Sequence, residues 1–185
     1  MKQSEVQQEL ELFKKRVIQQ AKSNLTKMKK NASGNLHKNL KGEVTVFSTG
    51  NFALEFDLGK YGEFQDKGVK GADPSKVSKN AKIKGQQAPN SPYSFKNKRP
   101  PSKPLSDWAK KRNLRLRNEK GQYAKGSYKT LGMIIAKNIW ARGLKPSLFF
   151  TKPFENEYKK LSDDLVTAFG LDIDEFLKYT VNGTK

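Results

Sequence analysis

Residues 127–154 read SYKTLGMIIAKNIWARGLKPSLFFTKPF, and the fold turns on this stretch. Tyr128, Leu131, Ile135 and Ile139 recur at three- and four-residue spacing, with Met133, Ile134, Ala136 and Trp140 on the flanks. That period predicts a helix apolar on most of its surface and therefore interior. Gly143 supplies a left-handed stop at no steric cost, and Pro146 keeps the helix from resuming. Leu148-Phe149-Phe150 reads as a short buried strand, and Pro153 as the start of another helix.

Outside this stretch, Val6, Leu10, Phe13, Val17, Ala21, Leu25 and Met28 sit three or four apart among Gln, Glu, Lys and Asn, predicting one amphipathic helix from residue 4 to about 30 with Ser4 at its cap. Its polar face mixes both charge signs, which favours packing on a sheet or a neighbouring subunit over lying on a membrane. Ala32-Ser33-Gly34-Asn35 breaks the helix, and Leu36 and Leu40 add a turn. Glu43–Phe47 is rich in β-branched residues, and Phe52–Leu58 alternates apolar and polar, with Ser48-Thr49-Gly50-Asn51 between them as a hairpin turn. Phe52, Leu54, Phe56 and Leu58 share one face. A shorter helix is expected from Leu105 to about Arg112 with Trp108 on its buried side. Phe154 to Phe169 predicts another, with Glu155 and Glu157 in a first turn where the helix dipole favours them. Gly170 stops it, and Asp172 with Glu175 forms a capping box for a last short helix.

The resulting fold class is α+β: a small antiparallel β-sheet packed against a long N-terminal helix and further helices, with a long extended basic loop. Its 185 residues, 35% hydrophobic content and mean hydropathy of −0.83 suit a single domain with a core in 1–66 and 105–180. Without cysteine there is no disulfide framework, thiolate metal site or cysteine nucleophile. No apolar run is long enough to span a bilayer, and MKQSEVQQELELFKKR lacks the apolar block of a secretory signal, so a soluble protein of a reducing compartment is expected.

Net charge is +19, and residues 67–146 hold 21 basic side chains against three acids, Asp73, Asp107 and Glu119, hence +18. Charge this dense repels itself when unpaired and calls for an anionic partner, nucleic acid or an acidic protein surface. Within it, 67–104 has six of the eight prolines and almost no apolar residues, predicting an extended arm that orders against a partner. Residues 113–126 form a second basic insertion. Candidate contacts to DNA or a protein partner are Lys76, Lys79, Lys82, Lys84, Tyr93, Phe95, Lys96, Lys98, Arg99, Lys103, Arg115 and Arg117. Tyr93 and Phe95 among Lys96, Lys98 and Arg99 match the mixture of rings and cations on which single strands stack, and equally a Pro-rich arm docking on protein.

Catalytic residue types do not cluster. His37, the one histidine, lies in a polar turn and reads as an exposed structural residue. Asp163-Asp164 and the Asp172/Asp174 pair fit helix-surface charge and capping better than calcium ligation, because alternating oxygens and a central glycine are missing. Gly68-Val69-Lys70-Gly71 lacks the Ser/Thr and the strand-to-helix setting of a phosphate loop. No catalytic, metal or cofactor site follows.

Several stretches taken in order resemble the head–tail joining proteins of tailed bacteriophages, called tail-completion or neck proteins. They are Ala32–Leu36 with Leu40, the hairpin, Tyr61-Gly62-Glu63-Phe64-Gln65-Asp66-Lys67-Gly68, Leu105-Ser106-Asp107-Trp108-Ala109, and Ile134–Gly143 running into Lys152-Pro153-Phe154. The chain departs from that pattern in the 69–104 arm and in the Leu148-Phe149-Phe150 insertion. The resemblance implies an α+β fold and a structural virion protein without enzymatic activity or cofactor. It implies a homo-oligomeric ring in the neck, assembled in the bacterial host cytoplasm, with portal, tail or other neck proteins and packaged DNA as partners and no membrane. The alternative reading of the residues is a basic nucleic-acid-binding protein.

Overall fold

A computed structural model describes residues 3–30, 34–47, 51–79, 81–161 and 165. The fold is α+β. The chain divides into two compact units, Met1–Glu63 with Leu148–Lys185, and Phe64–Ser147. The expected capping box at Asp172, Gly170 and the Asp163-Asp164 pair lie outside the described residues, as does the side chain of Ser4.

Unit 1 is built on α1, Gln3–Lys27, followed by α2, Asn35–Asn39, and the strands β1, Lys41–Val46, and β2, Phe52–Asp57. Leu10, Phe13, Val17, Ala21 and Leu25 are buried along one side of α1, as their spacing dictates, whereas Met28 is exposed. That side packs on β1, β2 and α6, Thr151–Tyr158. β1 and β2 pair antiparallel from Lys41↔Asp57 to Val46↔Phe52, and the Phe47 amide donates to the Asn51 carbonyl at 2.9 Å. Phe56 enters the core with Leu54 and Leu58 beside it, as the alternation along β2 predicts for these three.

Leu148-Phe149-Phe150 is not a strand. Leu148 has φ 51°, and the chain turns through Phe149 and Phe150 straight into α6. A strand would send the two rings to opposite faces; the turn sends both into one core. Phe150 meets Phe56 edge-on at 5.1 Å, and Phe154 meets Phe13 at 5.4 Å. Glu157 is not a solvated first-turn charge either. It is 2% exposed, with Gln20 Nε2 donating to it at 2.7 Å, Lys160 bonded to the same oxygen and Arg16 at 4.0 Å. Burial works to raise its pKa, but the bonds from Lys160 and Gln20 and the charges of Lys160 and Arg16 outweigh it and hold the carboxyl below its ordinary value.

Helix α3, Gly59–Lys67, carries the chain into unit 2. There β3, Val69–Lys70, pairs antiparallel with β4, Gly143–Leu144, and residues 93–95 add a third, parallel strip through Lys70↔Ser94. Helix α4, Ser102–Lys111, packs along α5, Tyr128–Arg142. Ser127 caps α5, its Oγ accepting from the Thr130 amide at 3.1 Å, and Gly143 ends it at φ 91°. A Cβ at Gly143 would fall on the Val69 carbonyl oxygen and within 2.7 Å of the Gly71 amide, so only glycine permits this junction. The face of α5 that is buried is not the large-residue stripe but Gly132, Ala136, Trp140 and Ala141. In α4, Ala109 rather than Trp108 is the buried residue; Trp108 lies one position off the contact line and is 36% exposed.

The 67–104 segment is long and nearly devoid of regular structure, as its composition predicts, yet it has partners within the chain. The last four carbonyls of any helix lack internal donors. In α5 the Gly143 amide bonds Ile139 O, Ala72 bonds Trp140 O at 2.9 Å, Asp73 bonds Ala141 O at 3.1 Å and Gln87 bonds Arg142 O at 2.8 Å. Gln86 clamps Gly71 from both sides, accepting from its amide at 2.6 Å and donating to its carbonyl at 3.1 Å. The arm is thus a cap for α5, a role that composition cannot express.

Candidate polyanion interface

Charge divides unequally between the units. Residues 64–147 carry 21 basic side chains against Asp66, Asp73, Asp107 and Glu119, a net of +17, which leaves +2 of the chain's +19 to unit 1. Four carboxylates cannot neutralise that excess, and Asp66 is buried at 2% exposure. Two of the others hold one cation each: Asp73 pairs with Lys76 at 3.2 Å and Asp107 with Lys103 at 3.6 Å. Hydrogen bonds from Ser75 and then from Lys76 hold the Asp73 carboxyl below its ordinary pKa, so it stays ionised and keeps Lys76 in place.

The twelve predicted contact residues all lie in unit 2, but they do not form one site. Trp140 gathers the first group. Its indole N–H donates to the Lys96 carbonyl at 2.6 Å, and the Lys76 ammonium and the Arg99 guanidinium stand 5.6 Å and 5.2 Å from its ring centre. Lys79, Lys82, Lys84 and Lys98 are exposed on the neighbouring loops, and the Ile83 carbonyl between Lys82 and Lys84 accepts from Arg142 at 3.2 Å. Burial draws the Arg142 pKa below its ordinary value, and a guanidinium stays charged throughout. Lys103 is exposed in the first turn of α4.

Tyr93 and Phe95 lie on a strip bonded to β3. The Tyr93 carbonyl accepts from Lys70 at 2.7 Å, the Phe95 amide donates to Lys70 O at 2.9 Å, and the Tyr93 ring stands edge-on to Phe64 at 4.8 Å. Both side chains are half-buried. The strip forms a sheet edge, and this packing holds the Tyr93 ring.

Arg115 and Arg117 belong to a separate feature, within the stretch that composition shows only as a second basic insertion. Arg117 and Tyr123 form an antiparallel bridge, Asn118 N donates to Gln122 O at 2.9 Å and Ala124 N to Leu116 O at 3.0 Å, and Gly121 turns the chain at φ 77°. Within residues 113–126, positions 116–124 therefore close into a minimal β-hairpin held by one bridge and its flanking hydrogen bonds. Both guanidinium groups lie over the Tyr123 ring, Arg115 at 5.7 Å and Arg117 at 4.6 Å. Leu114-Arg115-Leu116-Arg117 ahead of a glycine turn is the signal that could have found it.

Among the described residues, no three His, Cys, Asp or Glu side chains gather as metal ligands, and no helix is long and apolar enough to cross a membrane. His37 is half-buried on α2, lining an open groove along α1 with Leu12 and Ile18. Comparison with protein-family models, curated proteins and solved structures finds no match.

Proposed function

We propose that this chain is a structural, non-enzymatic virion protein: a subunit of a homo-oligomeric ring in the neck of a tailed phage, joined to portal, tail or other neck proteins. The observation that carries the reading is the meeting of two stretches on which the resemblance rests. Tyr61–Gly68 leads into β3 and Ile134–Gly143 leads into β4, and these strands pair Val69↔Leu144. Segments more than sixty residues apart in the chain thus form one junction, with the 69–104 insertion looping out between them and capping α5. The charge of unit 2 supports an anionic neighbour, packaged DNA or the acidic face of an adjoining subunit. Electron microscopy of the purified protein, alone and mixed with portal protein, tests this. Closed rings are expected, and a monodisperse monomer that joins neither portal nor tail proteins refutes it.

A second reading, a nucleic-acid-binding protein outside any virion, is favoured by the same +17 unit. It predicts affinity for DNA or RNA that falls linearly in log salt with no ring formed. Absence of binding at low salt removes it.

A further inference from the structure

We propose that the 113–126 hairpin is a nucleic-acid contact, in which Arg115 and Arg117, set in place by Tyr123, grip the phosphodiester backbone of duplex DNA. This rests on the reading, common to both proposals, that the charge of unit 2 meets an anionic partner, and it holds whether or not the chain forms a ring.

Alternation along the ribbon sorts its side chains. Leu114 and Leu116 point one way, and Leu116 sits against Gly126, where a Cβ would overlap its Cδ1. The Leu114 amide donates to the Ala109 carbonyl of α4 at 2.9 Å, and Tyr128 Oη donates to Asn113 at 3.4 Å, which roots the hairpin on both helices. The opposite face presents Arg115, Arg117 and Tyr123, with Tyr123 66% exposed. A phenol ring that could bury itself stands in water and holds two cations.

The consequence is preorganisation. A free arginine loses rotamer entropy when a ligand fixes it, and guanidinium groups already resting on a ring lose less. Arg117 is held further by bonds to the Gly121 carbonyl at 2.7 Å and the Tyr123 hydroxyl at 3.4 Å. Each guanidinium has five N–H donors, more than the ring contact and these bonds use, and the remainder can point at phosphate oxygens. Two cations on one ring repel each other until an anion lies against them. Lys120 at the turn and Lys125 at the base extend the row, against the single acid Glu119.

Duplex DNA fits better than an acidic protein for two reasons. A two-stranded ribbon has the width the major groove admits, between two rows of phosphates. The excess charge of unit 2 is also spread over loops 76–84, 96–103 and 111–125, matching a polymer rather than one patch with a dry centre.

The test is fluorescence anisotropy of the full chain on a labelled DNA duplex over about 50–200 mM salt. Replacing Arg115, Arg117 and Lys120 together by Ala should flatten the log–log salt slope by about 2.7, three phosphates at about 0.9 each. Tyr123→Ala should weaken binding about 5- to 30-fold, and Tyr123→Phe, which keeps the ring, should restore it. All three changes lie on an exposed hairpin, so the unfolding midpoint by tryptophan fluorescence should stay where it is. The inference is overturned if the triple variant keeps the parental slope, or if Lys79, Lys82 and Lys84 changed to Ala lower it as much or more. It is also overturned if polyglutamate of equal charge displaces the duplex as well as unlabelled DNA does. Size-exclusion chromatography of the triple variant separates the two ideas: an intact ring with lost DNA binding assigns the defect to the hairpin, and rings without any DNA affinity in the parent sink the hairpin while sparing the ring.

Discussion

Gly132→Ala in the middle of α5 should destabilise unit 2, against the intrinsic preference of helices. Alanine is favoured over glycine inside a helix by about 1 kcal/mol. At this position, however, the added Cβ would fall on Ser106 Oγ and within 2.7 Å of the Ser102 carbonyl and 2.8 Å of the Ser106 amide. Two of these three atoms are backbone, so α4 itself must withdraw. With backbone in the way the overpacking cost falls in the upper part of its usual range, about 2–3 kcal/mol, which less the propensity gain leaves a net loss of about 1–2 kcal/mol and a midpoint lowered by roughly 4–8 °C per kcal/mol in a unit of this size. Both tryptophans, Trp108 and Trp140, lie in unit 2, so thermal or urea melts followed by fluorescence read this unit alone. Adding Ser106→Ala removes one of the three obstructions and should recover part of the loss. A Gly132→Ala protein as stable as the parent, or more so, refutes the α4–α5 contact as drawn.

Trp140→Phe should destabilise the same unit by about 1–3 kcal/mol, because the Lys96 carbonyl loses its donor, and should leave the red-shifted emission of the more exposed Trp108. Glu157 has a depressed folded pKa, so its contribution to unit 1 is complete above the unfolded value of about 4.3 and is lost as pH falls through the folded one; circular dichroism melts should show this acid limb shrinking in Glu157→Gln. Brief trypsin digestion should cut first within 111–125, where Arg115, Arg117, Lys120 and Lys125 are exposed, before 67–87, which is bonded to α5; mass spectrometry of the first fragments decides it.

Much of unit 1 was legible because its elements are long enough to show a period. The α1 stripe and the β2 alternation each follow from local chemistry, as does, in unit 2, the Gly143 stop of α5. Unit 2 was harder to read. Strands β3 and β4 are two residues each, too short for any pattern, and their pairing depends on a close approach at Gly143 that only the folded chain reveals. Trp108 and Tyr93 were misplaced for related reasons. A one-residue error in helix phase moved Trp108 off the contact, and Phe64, the partner of Tyr93, lies 29 positions earlier. The charge of the candidate interface was plain from composition, but Tyr123 was not, because its importance comes from two arginines arriving across a hairpin.

Ser147 closes unit 2 where the chain leaves it. Its amide donates to the carbonyls of Gln65 and Asp66 at 3.1 and 3.0 Å, and its hydroxyl donates to Gln65 O at 2.6 Å. With residues 64–147 folded, the two ends of unit 2 are therefore held side by side. With that segment unfolded, bringing its ends together costs about 4 kcal/mol of chain entropy by logarithmic scaling. A folded unit 2 is thus a closed loop in the chain between the two segments of unit 1, and a lesion that opens it is expected to slow the docking of Glu157 on Gln20, 137 residues away along the chain, as stopped-flow refolding would register.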